Sequence, residues 1–348
     1  MERVHATSGA APGPCAAGVL RALSASLEAL GWRAGDPEDG ALVLNVVDPA
    51  APRPFRRRSR STYVAAVCEL PRGADPELTD TYPLLVRSLA NIVLCATSRG
   101  VWFTTMERGF YRVDGDVLPH LLPLAEARLV IDNEFRLDLE PELWQGDELT
   151  AAIGEAGRAI DDLGLLPAPF PIEDLLDERD LRHVKHLYGI GGLSYGNLSA
   201  RKDERRFWMS ASGVDKSRLE EPGRDILLVS GYDAERGRMV ISVPPFVEPR
   251  RVSVDAIEHW MIYRQHPRVG AILHVHGWID GIPSTRLNFP CGSEELALAV
   301  SQALGREADP VHAVIGLHNH GITATGESLP EILGRIGSAI RPHVPMAG

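Results

Sequence analysis

A proline-rich segment, Leu165-Leu-Pro-Ala-Pro-Phe-Pro171, interrupts the pattern of apolar residues near the middle of the 348-residue chain. The pattern restarts on each side, and each side is long enough to bury a core of its own. We therefore predict two domains, over residues 15–164 and 180–348, joined by a linker over residues 165–179. Residues 1–14 are rich in Ala, Gly and Pro. We predict a disordered tail there, because so few apolar groups cannot offset the entropy of ordering.

The negative net charge argues against a protein that binds nucleic acid or an anionic membrane. The formal net charge is −11 and 44% of the residues are hydrophobic, so the surface has no general basis for holding nucleic acid or an anionic membrane. The sequence shows neither an uninterrupted apolar segment long enough for a membrane span nor the basic and apolar stretches of an export signal. Four cysteines, Cys15, Cys68, Cys95 and Cys291, lack metal-site spacing. We expect a cytoplasmic enzyme with reduced thiols that acts on a small molecule.

Patterning in the N-terminal half predicts a small α+β domain. Hydrophobic periodicity favours three helices, two buried strands and one hairpin. The predicted elements are a helix over 15–30, strands over 41–47 and 62–70, a helix over 82–96, a hairpin of 101–105 with 110–113, and a helix over 148–163. This half contains no phosphate loop or dinucleotide fingerprint, so its role stays unassigned.

A basic cluster lies between the two predicted strands of this half. It comprises Arg53, Arg56, Arg57, Arg58 and Arg60. We favour a solvated loop, and an anion site or a subunit contact is the alternative.

Two histidines end an apolar run in Ala271-Ile-Leu-His-Val-His-Gly277. The run is typical of a buried strand, whose period of two places His274 and His276 on one face, about 6 to 7 Å apart along the strand. Both imidazoles could then reach one metal ion. The motif alone is weak evidence, because ordinary strand-end histidines show the same spacing.

The same combination of apolar run, histidine and glycine recurs further along the chain. Ala313-Val-Ile-Gly-Leu317 leads into His318-Asn-His320-Gly321, and strand ends in α/β folds are where sites are usually built. Three neutral imidazoles suit Zn²⁺, Fe²⁺, Mn²⁺ or Co²⁺ better than Mg²⁺ or Ca²⁺. The spacing predicts a metal site and leaves His318 and His320 as competing third ligands.

A helix is predicted upstream of the histidine pair, over residues 253–263. Ser253 is its predicted N-cap and Asp255 lies in its first turn. By spacing alone we favour a carboxylate that complements the positive end of the helix, an effect of about 1 kcal/mol or less. A catalytic carboxylate is the alternative.

Four motifs follow one another in the C-terminal half. They are Gly196-Asn-Leu-Ser-Ala-Arg201, Met209-Ser-Ala-Ser-Gly-Val-Asp215, the acidic helix before His274-Val-His276, and Asn319-His-Gly321. In this order they resemble the class II aldolase/adducin family over about residues 180 to 340. The resemblance implies an α/β chain whose C-terminal part is an α/β/α sandwich around a mostly antiparallel sheet. It also implies a homo-oligomer, commonly a tetramer.

The resemblance also assigns roles within the expected site. The family's metal ligands correspond to His274, His276 and His320, and His318 matches no family ligand. The carboxylate nineteen residues before His274 is Asp255, which corresponds to the family's acid/base or fourth ligand. Aldolases usually have glutamate at this position, and aspartate is similar to the sugar-phosphate 4-epimerases.

The family's phosphate pocket maps onto Asn197, Ser212, Gly213 and Ser253. Where the family has a Ser-Ser pair before the acid, this chain has Ser253-Val254, so one hydroxyl donor is lost. Lys216 or the arginine cluster could replace it. Ordinary turn chemistry is the alternative explanation of the Gly-Asn and Ser-Gly pairs.

The interval after the histidine pair also departs from the family. Aldolases usually insert a loop with a catalytic tyrosine there, whereas this chain has only residues 277–287 before Asn288-Phe-Pro-Cys-Gly-Ser293. The usual proton donor is therefore expected to be absent, and Asp280, Tyr195 and His259 are the replacements that we can name.

These features predict a metal-dependent lyase that cleaves or forms a carbon–carbon bond, by retro-aldol chemistry or decarboxylation, in a small oxygenated substrate. A cation stabilises the enediolate and Asp255 moves the proton. We expect zinc, with iron, manganese or cobalt as alternatives. Other functions stay open: an epimerase with the same chemistry, a non-haem iron oxygenase on the same three histidines, and a non-catalytic adducin-like binding protein.

Overall fold

The computed structural model describes residues 3–58, 62–70, 75–105, 109–164, 176–182 and 196–347. The chain forms two compact units. One holds residues 1–126, 171–186 and 346–348, and the other holds residues 127–170 and 187–345. Within the described ranges, no helix is both long and apolar enough to cross a lipid bilayer.

The first unit is built on a seven-stranded sheet with the strand order β2-β1-β3-β4-β5-β6-β7. The pairs from β2 to β5 are parallel and the last two pairs are antiparallel. The strands are β1 (Val4–Gly9), β2 (Arg33–Ala34), β3 (Leu42–Val46), β4 (Tyr63–Glu69), β5 (Ile92–Thr97), β6 (Gly100–Thr105) and β7 (Phe110–Val113). The helices are α1 (Pro14–Ala29), α2 (Leu78–Ser88) and α3 (Leu118–Ala125). Strands β3 and β5 are buried almost throughout, as expected of parallel strands covered on both faces.

Three predictions for this unit differ from the structure. The mainly parallel sheet replaces the predicted α+β arrangement, because parallel ladders join segments whose pairing local periodicity does not report. Residues 4–9 were expected to be disordered, but β1 is hydrogen-bonded to β2 on one side and β3 on the other. The predicted helix over 82–96 ends at Ser88, because Leu89 takes a left-handed conformation at φ 52°. Residues 92–97 form β5, since a short buried apolar run suits either element.

The arginine cluster belongs to this unit and is exposed where it is described. Arg57 donates from Nη2 to the carbonyl of Leu89 at 2.7 Å and to Oδ1 of Asn91 at 2.8 Å. Arg58 forms an ion pair with Glu38. Two of the arginines therefore bind groups of their own unit, and Arg60 lies outside the described residues.

The second unit contains an eight-stranded sheet with the order β14-β15-β13-β9-β10-β11-β12-β8. Every neighbouring pair is antiparallel except β12 with β8. The strands are β8 (Asp132–Arg136), β9 (Asn197–Arg201), β10 (Phe207–Ser210), β11 (Ile226–Asp233), β12 (Arg238–Ser242), β13 (Ala271–Val275), β14 (Val314–Leu317) and β15 (Gly321–Gly326). The helices are α4 (Glu148–Asp162), α5 (Ala256–Gln265), α6 (Glu294–Leu304) and α7 (Leu329–Ile336). This mostly antiparallel α/β/α architecture confirms the predicted fold of the C-terminal part.

The boundary between the units differs from the predicted one. Residues 127–164 were assigned to the N-terminal domain, but β8 pairs with β12 and α4 packs on β9. Asp147, the N-cap of α4, accepts hydrogen bonds from Lys202 Nζ at 2.8 Å and Trp208 Nε1 at 3.0 Å. These contacts bury α4 in the core of the second unit. The proline-rich segment 165–171 lies outside the described residues.

Candidate metal centre

His274 lies on β13, in the interior of the second sheet. The strand is paired with β15 on one side and β9 on the other, and His274 is 1% exposed. Its Nδ1 lies 3.0 Å from the carbonyl oxygen of Ile322. A carbonyl can only accept, so Nδ1 carries the proton and Nε2 carries the lone pair. Nε2 is buried, and no hydrogen-bond partner for it occurs among the described residues.

The other two histidines of the cluster, His276 and His320, lie in loops next to β13 and β15. His276 follows the end of β13, and His320 is the last residue before β15. The turn from Leu317 to His320 is closed by a 3.0 Å backbone hydrogen bond. Asn319 has φ 58° in this turn, a conformation that asparagine tolerates better than most residues. The hairpin thus returns His320 to the strand that precedes His276.

One ring nitrogen from each of His274, His276 and His320 lies within 4.8 Å of the other two. The Nε2 atoms of His276 and His320 are 3.0 Å apart. His318 lies outside this group, and its backbone N–H donates to Thr285 Oγ1 at 3.0 Å. The structure therefore brings together the three histidines that the resemblance named.

The three imidazoles suit a divalent transition metal. Burial lowers the pKa of His274 to about 4, opposed by its hydrogen bond to Ile322, so the ring is neutral at neutral pH. Neutral imidazole nitrogen is a ligand for zinc, iron, cobalt and manganese. The buried lone pair on His274 Nε2 would otherwise remain without a partner, which costs free energy. The residues present therefore fit a metal ion.

Asp255 stands immediately before α5 and is 5% exposed. Asn197 donates from Nδ2 to its Oδ2 at 2.7 Å, and the carboxylate makes no side-chain bond to the helix N-terminus. Burial raises its pKa, while the charge of His320, the bond from Asn197, the Gly292 N–H and the charge of Lys216 oppose the rise. Asp255 is thus a buried carboxylate held by Asn197, close enough to His320 for the two groups to interact electrostatically. Ser253, the predicted N-cap, accepts the Ala256 N–H at its carbonyl and donates its own N–H to the carbonyl of Ser210, so both bonds are made by its backbone.

Residues 181–278 match the family described as Class II Aldolase and Adducin N-terminal domain. This part of the chain is a class II aldolase/adducin domain. Among its relatives, methylthioribulose-1-phosphate dehydratase of Stenotrophomonas maltophilia (strain K279a) is 35% identical over 101 residues, which are 29% of this chain and 41% of that protein. The protein of the same name from Leptospira biflexa serovar Patoc (strain Patoc 1 / Ames) is 32% identical over 122 residues, 34% of this chain and 52% of that protein.

The chain therefore spans between about two fifths and one half of the length of these relatives. A solved structure, described as an aldolase II superfamily protein from Pseudomonas syringae, is similar at 15% identity. The similarity covers 58% of this chain and 75% of that chain with a TM-score of 0.37.

Two further titratable groups of the class II aldolase/adducin domain, Glu258 and Lys216, are buried and interact electrostatically with Asp255. Burial, together with the charge of Asp255, raises the pKa of Glu258 to about 8. Burial lowers the pKa of Lys216 to about 8, opposed by Asp215 and Asp255. Sequence reasoning makes Glu258, one helical turn after Asp255 and on the same face, the next carboxylate to test if Asp255 is not catalytic.

Two of the residues expected to bind phosphate, Asn197 and Lys216, are hydrogen-bonded to other groups of the protein. The Asn197 amide is engaged by Asp255, and Lys216 Nζ donates to the carbonyls of Ala211 at 2.8 Å and Val214 at 3.4 Å. Ser212 and Ser253 lie on neighbouring segments, joined by a backbone bond from Ser212 to Arg251 at 2.8 Å.

Two predicted substitutes for the aldolase tyrosine have other partners. Asp280 forms an ion pair with Arg341 at 2.8 Å, and His259 lies buried with Nδ1 2.7 Å from Ser199 Oγ. Gly213 occupies a left-handed turn at φ 67°, and Tyr195 lies outside the described residues.

The class II aldolase/adducin domain also needs glycine at position 196. Gly196 has φ 105°, and a Cβ there would lie 2.6 Å from the carbonyl oxygen of His274. Glycine at this position therefore lets the start of β9 lie against the backbone of β13 at His274.

Proposed function

We propose that this domain is a metal-dependent lyase that acts on a small oxygenated substrate, sugar-like or hydroxy-keto in character. The observation that carries the proposal is the convergence of His274, His276 and His320 beside the buried carboxylate of Asp255. The relatives named dehydratases support a lyase, because dehydration is an elimination reaction. Among possible metals we favour zinc, and iron, manganese and cobalt also fit three imidazoles.

The bound cation would supply Lewis acidity that draws electron density from a substrate carbonyl, an effect of several kcal/mol. Asp255 would move the proton. Asn197 orients its carboxylate through the 2.7 Å hydrogen bond, and the buried positive charge of Lys216 favours its ionised form. Burial raises the pKa of Asp255 at the same time. A base is most effective when its pKa approaches the working pH, so these opposing influences suit proton transfer.

The first candidate reaction is cleavage of a carbon–carbon bond. Asp255 takes the proton of a hydroxyl two carbons from the carbonyl, the carbon–carbon bond breaks, and the electron pair passes towards the carbonyl. An aldehyde leaves, and the same carboxyl returns the proton to the remaining carbon. In decarboxylation the leaving group is a carboxylate on the carbon next to the carbonyl. It departs as carbon dioxide without loss of a hydroxyl proton, and the remaining carbon takes a proton from solvent through Asp255.

The second candidate is loss of water, which the name of the dehydratase relatives favours. Here Asp255 takes a proton from the carbon next to the carbonyl, and hydroxide leaves from the following carbon with a proton from solvent. Epimerisation and oxygen chemistry with iron remain alternatives, which a product with inverted configuration or oxygen uptake would reveal. The presence of all three histidines argues against a non-catalytic adducin-like role.

Proton exchange tests the step that these lyase reactions share, without knowledge of the natural substrate. Small hydroxy ketones, with and without a phosphate, are incubated with the protein in D₂O and followed by NMR. We expect exchange next to the carbonyl to stop with a chelator and to return with added metal. A homo-oligomer, the assembly that we propose, would be identified by light scattering of the same preparation.

Two substitutions separate the roles of the residues. Asp255→Asn should retain its metal and lose about 10²-fold or more in exchange rate, the usual scale for a positioned acid or base. His274→Ala should lose the metal, and His318→Ala should keep it. Exchange in Asp255→Asn as fast as in the parent would refute the role of Asp255, and a metal-free parent after purification and reconstitution would refute the lyase.

A further inference from the structure

The thiol of Cys291 adjoins the histidine cluster. Its Sγ lies 3.1 Å from Nε2 of His320 and 3.8 Å from Nδ1 of the same ring. The Nε2 atom that it approaches is also the one that lies 3.0 Å from His276 Nε2. Sequence spacing gave no reason to group this cysteine with the histidines, because Cys291 is far from both motifs along the chain.

The loop that carries Cys291 is held on several sides. Ser293 Oγ donates to the carbonyl of Pro290 at 2.7 Å, and the same oxygen accepts from Leu296 N at the start of α6 at 3.2 Å. The carbonyl of Gly292 accepts from Val130 N at 2.7 Å. The segment is therefore a fixed turn, and the position of the thiol follows from it.

The separations suit ligands of one metal ion. Metal–nitrogen bonds of about 2.0 Å and metal–sulfur bonds of about 2.3 Å place tetrahedral ligand atoms about 3.3 to 3.6 Å apart. The contacts of His320 Nε2 with His276 and Cys291, at 3.0 and 3.1 Å, are a few tenths of an ångström shorter. The buried Nε2 of His274, for which the described residues offer no partner, is a second and independent sign of a ligand at this point.

We propose that Cys291 supplies a fourth protein ligand, a thiolate, to the metal held by His274, His276 and His320. This inference rests on the proposed metal-dependent function. The sulfhydryl proton is released to solvent when the metal binds, as for other thiolate ligands. Sulfur is a soft ligand, so Cys291 biases the site towards zinc, cobalt or iron and away from magnesium and manganese.

Cobalt spectroscopy and X-ray absorption report the sulfur without any measurement of catalysis. The protein loaded with one equivalent of Co²⁺ should show a near-ultraviolet sulfur-to-cobalt charge-transfer band. The zinc-loaded parent should show a sulfur scatterer at about 2.3 Å. Cys291→Ser should keep one Co²⁺ but lose the band, and its Kd for Zn²⁺ should rise by more than about 10-fold, a scale that even outer-sphere partners reach.

The matched control is Cys15→Ser, since Cys15 and Cys291 are both half-buried thiols, and it should keep the band. One bound Co²⁺ in the parent with no sulfur signal would overturn the role of Cys291 and leave the histidine site intact. A parent that binds no Co²⁺ would overturn both this inference and the proposed function. The X-ray absorption measurement uses the parent alone, so it decides the question even if Cys291→Ser fails to fold.

Discussion

Glu258 should make the protein less stable as the pH rises towards 8, and Glu258→Gln should remove this effect. The side chain is 1% exposed, and Thr323 Oγ1 donates to its Oε1 at 2.6 Å. Its Oε2 is buried and has no hydrogen-bond partner within the described ranges. Burial first, and the charge of Asp255 second, raise its pKa from 4.5 to about 8. Glutamine keeps the shape and the acceptor for Thr323 but cannot ionise.

The sign follows from the number of protons that each state binds. Between pH 4.5 and about 8, the folded protein retains a proton on Glu258 that the unfolded chain has released. The free energy of unfolding therefore falls as the pH rises through this window. Each pKa unit corresponds to about 1.4 kcal/mol, so the decline attributable to Glu258 is at most about 5 kcal/mol. The variant should match the parent near pH 4.5 and be more stable by several kcal/mol at pH 8 to 9.

Urea unfolding of chelator-treated protein, at intervals from pH 4.5 to 9, measures the difference between parent and variant. Glu327→Gln is the control, since Glu327 is exposed, and its difference from the parent should stay nearly constant across the same range. A constant difference for Glu258→Gln as well would show that Glu258 is ionised in the folded protein, and the reasoning from burial would fail.

Three further substitutions test the framework of the site. Gly321→Ala places a Cβ 2.3 Å from the carbonyl oxygen of Val275, whereas Gly334→Ala meets nothing within 4 Å. The first should therefore weaken zinc binding in a chelator competition, and the second should not. In the parent, the free energy of unfolding measured by urea titration should rise by about 3 kcal/mol between pH 8 and 10.5. Lys216→Met should abolish this rise. This rise is expected because the folded lysine, with its pKa lowered from 10.5 to about 8, binds fewer protons than the unfolded one. Leu273 is fully buried, so Leu273→Ala should lower the free energy of unfolding by about 2 to 5 kcal/mol. A loss below about 1 kcal/mol would contradict its place in the core.

Local patterns were sufficient for several strands, among them β3, β4 and β13, and for the placement of the histidine pair. The apolar run before His274 predicted β13, and its period of two placed His274 and His276 on one face. The Asn-His-Gly motif, through the family resemblance, selected His320 over His318. These predictions succeed because strand periodicity and turn preferences depend on residues that are close together in the chain.

Tertiary structure decided the surroundings of the site. Asp255 had the spacing of a helix-end charge, and only the packing of β9 against α5 gives it Asn197 as a partner. Neither Cys291 nor Glu258 was among the predicted site residues. Their roles depend on residues that are distant in the sequence and adjacent in the fold. Cys291 lies beside His320, and Glu258 lies beside Thr323.

The same physical reason explains the N-terminal sheet and the unit boundary. Residues 4–9 contain little apolar surface, and their order comes from ladders in which the paired residues are 29 or more positions apart along the chain. Helix α4 was assigned by its distance along the chain to one side of a proline-rich segment, yet its buried face packs with the sheet on the other side. Amphipathic spacing determines that a face will be buried, and it does not specify the surface that buries it. That choice depends on contacts between segments far apart in sequence, which only the folded chain contains.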